Sequence, residues 1–517
     1  MTLILGFGIY TALLVWLGRR PSGTGGETFR DGNHQISPAA IFFMVTALWS
    51  SSLIVVEIDT AYTSGLSALW YGVSVAVMSV LVALLIPWFR KRQYISNSAL
   101  LGAAFGPAVK RISGLVIGAT FPIFALSNAL AAGAFLHVAL GWPLWLSMTV
   151  TTGALVLYIQ FAGMFSLART QGLNFVVVMT GLALATGKLL TLTPLHTASV
   201  APAFWHWFGI GHGLVWVWFG MNTLNVFAAQ AEIQAVASAR DVRKAQRAVW
   251  WSTVLLLVII GGSTWIGMET RLIFGHARVD GLVAFAHILT HSSPTWFTAV
   301  VGIGIWALAL TWCGPLLFSG AISLGGDVLA RAQVVRWTRI ALVIEGIAMV
   351  LYGLWRPGEV AWWRVFGLTL RNAAVVGPTL ALFLWEDLPS AAVVTAMLAG
   401  IAVGLGLNAV TGFSPTHFVW GVNPMWSAAS TTFLVIAVWR LCQERRWAWA
   451  VLGLAGFTWL VAWLIRDAGP ALGPGLLGVM VLVSGLVALA YSWIVSRRPG
   501  ESLTRDVDRE AFQQVAD

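Results

Sequence analysis

Apolar runs of about 20 residues follow one another along nearly the whole chain, and few folds can accommodate that. A hydrocarbon core of about 30 Å needs roughly 20 helical residues to cross it. Runs of that order lie near 2–17, 37–60, 66–89, 112–139, 142–163, 171–192, 205–232, 248–268, 295–325, 337–355, 365–385, 390–410, 424–441, 447–465 and 475–495. They predict about fifteen membrane helices, since a backbone in lipid must satisfy its own hydrogen bonds. With 58% of 517 residues hydrophobic and only 10% charged, there is more apolar surface than a soluble core could hide. An all-α, polytopic membrane protein is expected.

The charge fits that class. The formal net charge of +10 sits in short clusters between apolar spans, a topology signal rather than a stripe for nucleic acid. Alternate loops carry Arg19, Arg20 and Arg30, then Arg90, Lys91, Arg92, Lys110 and Arg111, then Arg169, then Arg240, Arg243, Lys244 and Arg247. The series continues with Arg331, Arg336 and Arg339, Arg440, Arg445 and Arg446, and Arg497 and Arg498. The opposite loops hold only scattered positives such as Arg271, Arg278, Arg356, Arg364 and Arg466. An outside N-terminus and a cytoplasmic C-terminus follow, in a plasma membrane of the bacterial inner-membrane type. Met1 to Leu17 lacks a basic leader and reads as a first span rather than a signal peptide. Cys313 and Cys442 lie in or beside different apolar segments and offer no metal motif. The nine histidines form no HExxH-like pair, and His206 and His212 fit packing at a membrane interface better than metal ligation. The tail from Ser496 to Asp517 reads as a solvated cytoplasmic extension.

One span is unusual. Ile36 to Gly65 starts as an apolar helix, meets Thr46 and then Trp49-Ser50-Ser51-Ser52 in mid-membrane, and continues through Glu57 and Asp59. Carboxylates in a membrane cost a few kcal/mol and normally face a protein interior or a water-filled cavity. A helix broken around a ligand is the expectation. Residues 205–232 share the trait, with Asn222, Asn225, Gln230 and Glu232 along them. Two interrupted helices five spans apart point to an inverted-repeat transporter with its binding site at the breaks.

Several stretches carry a family resemblance. The segment ETFRDGNHQISPAAIFF, the serine run and AYTSGLSALWYG resemble the opening of the sodium:solute symporter family. AGMFSLARTQGLN, AEIQAVASARDVRKAQ, the helix ending SLGGDVL, and WEDLPSAAVVTAMLAG resemble later family elements in the same order. The likeness covers about residues 26–410. It implies a LeuT-like core of 5+5 inverted repeats with one leading and about four trailing helices. Residues 1–36 would then be the leading helix and loop, 37–385 the core, 386–495 accessory helices and 496–517 the tail.

The resemblance also implies a sodium site between the first and eighth core helices, built from carbonyls at Thr46 and Trp49 and from Leu308, Thr311 and Trp312. Of the three eighth-helix positions only Thr311 keeps a hydroxyl. Trp312 brings an N–H donor where a cation needs an acceptor, and Pro315 cannot donate to the Thr311 carbonyl four residues earlier. Gln171 replaces the family's acidic residue beside Thr170, and Asn174 stands in for its glutamine. The site is eroded.

Other polar residues complete the candidate set. Ser50, Leu53 and Glu57 share a helical stripe, and the resemblance implies substrate contacts around Leu53. Glu57 could carry a proton, pair with a cationic substrate group, or bond to a neighbouring helix. Asp59 reads as interfacial and solvated. Asn222 and Asn225 could bind substrate or hold helices together, and Arg371 could hold a substrate carboxylate or balance Glu57. Trp306, with Trp49 and Trp312, could wall a cavity. The chain reads as a symporter for a small polar organic solute, with sodium or proton as coupling ion, no cofactor, and no nucleic-acid partner. A transporter-like sensor is the alternative. An enzyme is not expected, for want of a nucleophile–base pair, metal motif or phosphate loop.

Overall fold

A computed structural model describes residues 2–18, 29–30, 35–92, 94–161, 163–194, 200–275, 279–330, 332–356, 360–385, 387–415 and 417–496. The tail after Ser496, Arg278, Arg331 and most of the loop before Ile36 lie outside the described residues. The described chain is almost wholly helical. Its helices are α1 (Thr2–Gly18), α2 (Pro38–Ser64), α3 (Leu69–Arg92), α4 (Asn97–Phe105), α5 (Pro107–Leu140), α6 (Leu144–Phe161), α7 (Met164–Leu189), α8 (His212–Asn225) and α9 (Gln230–Ala237). They continue with α10 (Val242–Phe274), α11 (Gly281–Ser292), α12 (Thr295–Ala321), α13 (Val334–Trp355), α14 (Val360–Arg371), α15 (Gly377–Leu384), α16 (Ser390–Val410), α17 (Pro424–Gln443), α18 (Trp447–Trp463) and α19 (Gly469–Ser496).

Among the described residues, ten helices are long and apolar enough to cross a membrane, with α2 and α3 counted as one; α1, α11 and Leu144–Gln160 of α6 are shorter apolar helices. Large apolar side chains such as Leu5, Trp251, Val258, Leu351 and Trp459 stand exposed on helix surfaces, where lipid replaces a protein neighbour. The chain is a multi-pass membrane protein.

Local chemistry sets the helix ends. Ser37 caps α2 by accepting the Ala40 N–H at 3.3 Å, and Pro38 occupies its first turn, where the missing N–H costs nothing. Gly65 ends the helix at φ 65°, and a Cβ there would run into the Phe204 carbonyl, so both conformation and space demand glycine. Asp241 caps α10 through the Lys244 N–H at 3.0 Å, and Ser96 caps α4 through that of Ala99 at 3.0 Å.

The fold forms two compact units interleaved in sequence. The first comprises Met1–Ile86, Phe121–Ile210 and Ala231–Ala361, and the second Pro87–Thr120, Gly211–Gln230 and the chain from Trp362 onward. Within the first, α2 lies along α10, and α7 packs on α12 where Gly181 and Gly304 face each other. A Cβ on either glycine would come to 3.0 Å from the other's Cα, so the pair sets how closely these helices approach. An isolated bridge ties the start of α2 to the end of α9: Ile36 N–H donates to the Ser238 carbonyl at 3.1 Å and Arg240 N–H to that of Ile36 at 3.0 Å. Within the second unit, α16, α17 and α19 pack together, and the buried Trp426 indole fills space left by Gly220 of α8 and Gly478 of α19.

Candidate functional site

The expected break in α2 is not there. The helix runs without interruption from Pro38 to Ser64, across Thr46 and the serine run. The reason is local: Ser50 and Ser51 donate their hydroxyls back to the Ala47 carbonyl, at 3.3 and 2.7 Å, so these side chains are satisfied without opening the turn. No glycine or proline lies between Ala39 and Ser64 to interrupt it. The carbonyls of Thr46 and Trp49 therefore sit in regular helix. Their side chains are different, since Thr46 Oγ1 and Trp49 Nε1 are buried without a hydrogen-bond partner.

The facing part of α12 is occupied by protein donors. Thr311 Oγ1 donates to the Ala307 carbonyl at 2.6 Å. The Thr311 carbonyl, which Pro315 cannot serve, accepts from Gln171 Nε2 of α7 at 3.2 Å. Trp312 Nε1 donates to the Phe124 carbonyl of α5 at 2.8 Å. Asn128 of α5 donates from Nδ2 to the carbonyls of Ser51 at 3.0 Å and Leu308 at 3.4 Å, bridging α2 and α12. Sodium needs oxygen lone pairs, and these positions present N–H groups aimed at the available oxygens. At the expected cation positions, the Leu308 and Thr311 carbonyls accept from the Asn128 and Gln171 amides.

The Thr170-Gln171-x-x-Asn174 element works as a set of stitches from α7. Tyr158 and Thr170 share a hydroxyl–hydroxyl bond, Gln171 reaches α12, and Asn174 Oδ1 accepts from Tyr10 of α1 at 2.7 Å. Gln171 Oε1 is left buried without a partner.

Of the substrate candidates in the first unit, Ser50 is engaged within its own helix and Leu53 is fully buried. Glu57 is also fully buried and accepts from Ser263 of α10, with Gly72 of α3 leaving the space its carboxyl fills. Trp306 stacks on Phe7 at 5.4 Å and donates to Thr11 Oγ1 at 2.9 Å, so the leading helix α1 holds it. A small apolar cavity of about 40 Å³ lies beside α2, lined among others by Ile54, Val55, Ile58, Phe135 and Leu308. Asp59, expected in solvent, is only part-exposed and accepts from the Gly281 N–H at 2.9 Å, beside Asp280, which caps α11. Burial holds the Asp280 carboxyl above the ordinary aspartate value, opposed by the N–H groups of Leu282 and Val283.

At the end of α12 the helix widens into a π segment, Ile322–Leu329. There Asp327 pairs with Arg30 at 3.5 Å, while the Arg30 carbonyl accepts from Gln234 of α9 at 3.3 Å. The segment before α2 is thus tied to α12 and α9 at one end of this unit.

In the second unit the expected interruption is present. Helix α8 stops at Asn225, Val226–Ala228 form a 3-10 turn, and Ala229 leaves helical geometry before α9 begins. Asn97, at the start of α4, donates from Nδ2 to the Phe227 carbonyl at 3.0 Å, and its backbone N–H donates to Gln230 Oε1 at 2.8 Å. Asn222 is buried on α8, and Asn225 is the last residue before the break. Arg371 is buried at the end of α14 and leads into a π turn, Asn372–Val376.

Sequence reading missed Asn97, Asn128 and Glu345. Glu345 lies on α13 fully buried, with both carboxyl oxygens lacking a hydrogen-bond partner, against Gly320 of α12. Its signal was the same as that of Glu57, one acid in an apolar run.

No protein-family model matches the chain. The osmoregulated proline transporter OpuE of Bacillus subtilis (strain 168) is 22% identical over 375 residues, which are 66% of this chain and 71% of that protein. Among solved structures, a Na+-coupled sialic acid symporter in a substrate-bound outward-open state superposes with a TM-score of 0.67 at 15% identity, over 84% of this chain and 96% of that one. Mhp1, a nucleobase-cation-symport-1 family transporter in a closed conformation with bromovinylhydantoin bound, gives 0.51 at 13% identity, over 95% and 99%. The chain has the LeuT-type fold, and its sequence resembles the sodium:solute symporter family.

Proposed function

We propose that the chain is a secondary active transporter that imports a small polar organic solute by alternating access, as a symporter driven by a sodium or proton gradient. It works in a plasma membrane of bacterial type, with its N-terminus outside and its C-terminus in the cytoplasm. The observation that carries the reading is the LeuT-type fold, together with an interrupted helix whose freed carbonyl is held by Asn97. A non-helical stretch in mid-membrane survives only where protein or a cavity satisfies it, and transporters of this architecture bind their solutes at such breaks.

Chain chemistry supports named roles. Asn222 and Asn225 lie on the helix that ends at the break and can donate and accept toward a polar solute. Thr46 Oγ1 and Trp49 Nε1 are buried polar atoms without partners, which a bound solute can satisfy. Glu57 is a buried carboxyl and the candidate proton carrier, held in position by Ser263. The Arg30–Asp327 pair closes one end of its unit and must part for that end to open.

A second reading, a transporter-like sensor, is favoured by one observation, that amide donors serve the Leu308 and Thr311 carbonyls. Uptake into proteoliposomes separates the two. Radiolabelled proline is the first probe, because the relative in sequence is a proline transporter, followed by other small zwitterions. Accumulation above the outside concentration under an imposed sodium or pH gradient supports symport. Saturable binding of a solute that is never accumulated supports the sensor. Accumulation driven by sodium alone and unchanged in Glu57→Gln would remove the proton-carrier role.

A further inference from the structure

Asn128 bonds α12 at Leu308, one of the positions where the resemblance puts a cation, and α2 at Ser51, two residues after Trp49. Its amide orientation follows from its partners, since the Ser51 and Leu308 carbonyls can only accept and Nδ2 faces both. The side chain is fully buried. Nearby, Gln171 Nε2 serves the Thr311 carbonyl and Trp312 Nε1 serves that of Phe124. A cation joining two helices does so by drawing carbonyl oxygens of both toward one positive centre. Here an amide N–H2 supplies two positive hydrogens to carbonyls of the same two helices, with no net charge and no ion to desolvate.

We infer that the Asn128 carboxamide takes the place of a bound sodium ion at the α2–α12 junction, so that this contact forms without sodium. Asn128 is a positioning residue in this scheme. Gln171 and Trp312 complete it by using the remaining oxygen positions or blocking them. The inference rests on the transporter reading only for the place where a cation is expected; the hydrogen bonds stand independently. Neutral donors hold the junction together at any sodium concentration, so any coupling ion binds elsewhere.

Equilibrium binding of radioactive sodium to the purified full-length protein in detergent, in potassium chloride buffer, tests this without knowledge of the solute. The wild type is expected to bind no sodium at this junction, so that any saturable sodium binding is unchanged in Thr311→Ala. Asn128→Asp replaces the donor by a carboxylate of equal size, so a carboxylate oxygen then faces two carbonyl oxygens, and it is expected to gain one saturable sodium site. Saturable sodium binding by the wild type that Thr311→Ala abolishes would overturn the inference. So would an Asn128→Asp protein that elutes as a single species and binds no sodium. Transport is not read in this experiment, so its failure leaves the symport reading standing, and failed uptake leaves this one standing.

Discussion

The bond from Gln171 to the Thr311 carbonyl exists because Pro315 cannot make it, and a double-mutant cycle measures that dependence. Gln171→Leu keeps most of the side-chain volume and removes the Nε2 donor, which leaves a fully buried carbonyl unpaired. An orphaned buried acceptor costs about 1–3 kcal/mol. An opposing term is present, because the substitution also removes Gln171 Oε1, itself buried without a partner. In Pro315→Ala the new N–H at position 315 can bond the Thr311 carbonyl within the helix, so the orphan term disappears while the Oε1 and packing terms remain. The coupling energy isolates the orphan term and should be about 1–3 kcal/mol. A melting temperature is a blunt readout: about 2.1 cal/mol/K per residue over 517 residues gives a shift of only about 1 °C per kcal/mol. Unfolding in mixed micelles by a denaturing detergent, where the free-energy difference is read directly, is the better assay. Additivity of the two substitutions within about 0.5 kcal/mol would refute the claim that Gln171 substitutes for the missing helical donor.

Three further outcomes are expected. Asn97→Ala should destabilise the protein by about 1–3 kcal/mol in the same assay, because the Phe227 carbonyl at the break loses its donor; no change would mean the break is held some other way. Asp280→Asn keeps a helix cap and removes a carboxyl whose folded-state value is raised above 3.8 by burial. A raised value means the wild type loses stability as pH climbs from 3.8 through that value, so the variant should gain over wild type at neutral pH and lose the advantage in acid, read by pH-dependent unfolding. A maleimide should label Cys442, which is part-exposed, much faster than Cys313, which is fully buried with its thiol donating to the Ala125 carbonyl; equal rates by mass spectrometry would contradict the packing of α12.

Helices were legible because lipid imposes one length and one hydrogen-bonding solution on every span. What a polar residue does inside a span was less so. The serine run of α2 gave the same signal as a broken helix, yet Ser50 and Ser51 answer to Ala47 one turn back and the helix continues. The second interruption was legible as a cluster of amides, but its support was not, since Asn97 lies more than a hundred residues earlier and meets Phe227 only through tertiary packing. Trp306 was expected to wall a cavity with Trp49 and Trp312, and periodicity could not tell that Thr11 of the leading helix would claim its N–H. Gln171 and Trp312 were visible as departures from the family pattern. Their consequence required Asn128, a single amide in an apolar run whose two carbonyl partners sit 77 and 180 residues away in sequence.

Solute counterflow tests the central claim of alternating access most directly, because it needs no ion gradient. Proteoliposomes are loaded with a high concentration of an unlabelled solute that the protein binds, diluted into a trace of the labelled one, and followed in time. Transient accumulation of label inside, absent from empty liposomes, is the result the account predicts. Saturable binding of the same solute without any counterflow would contradict it.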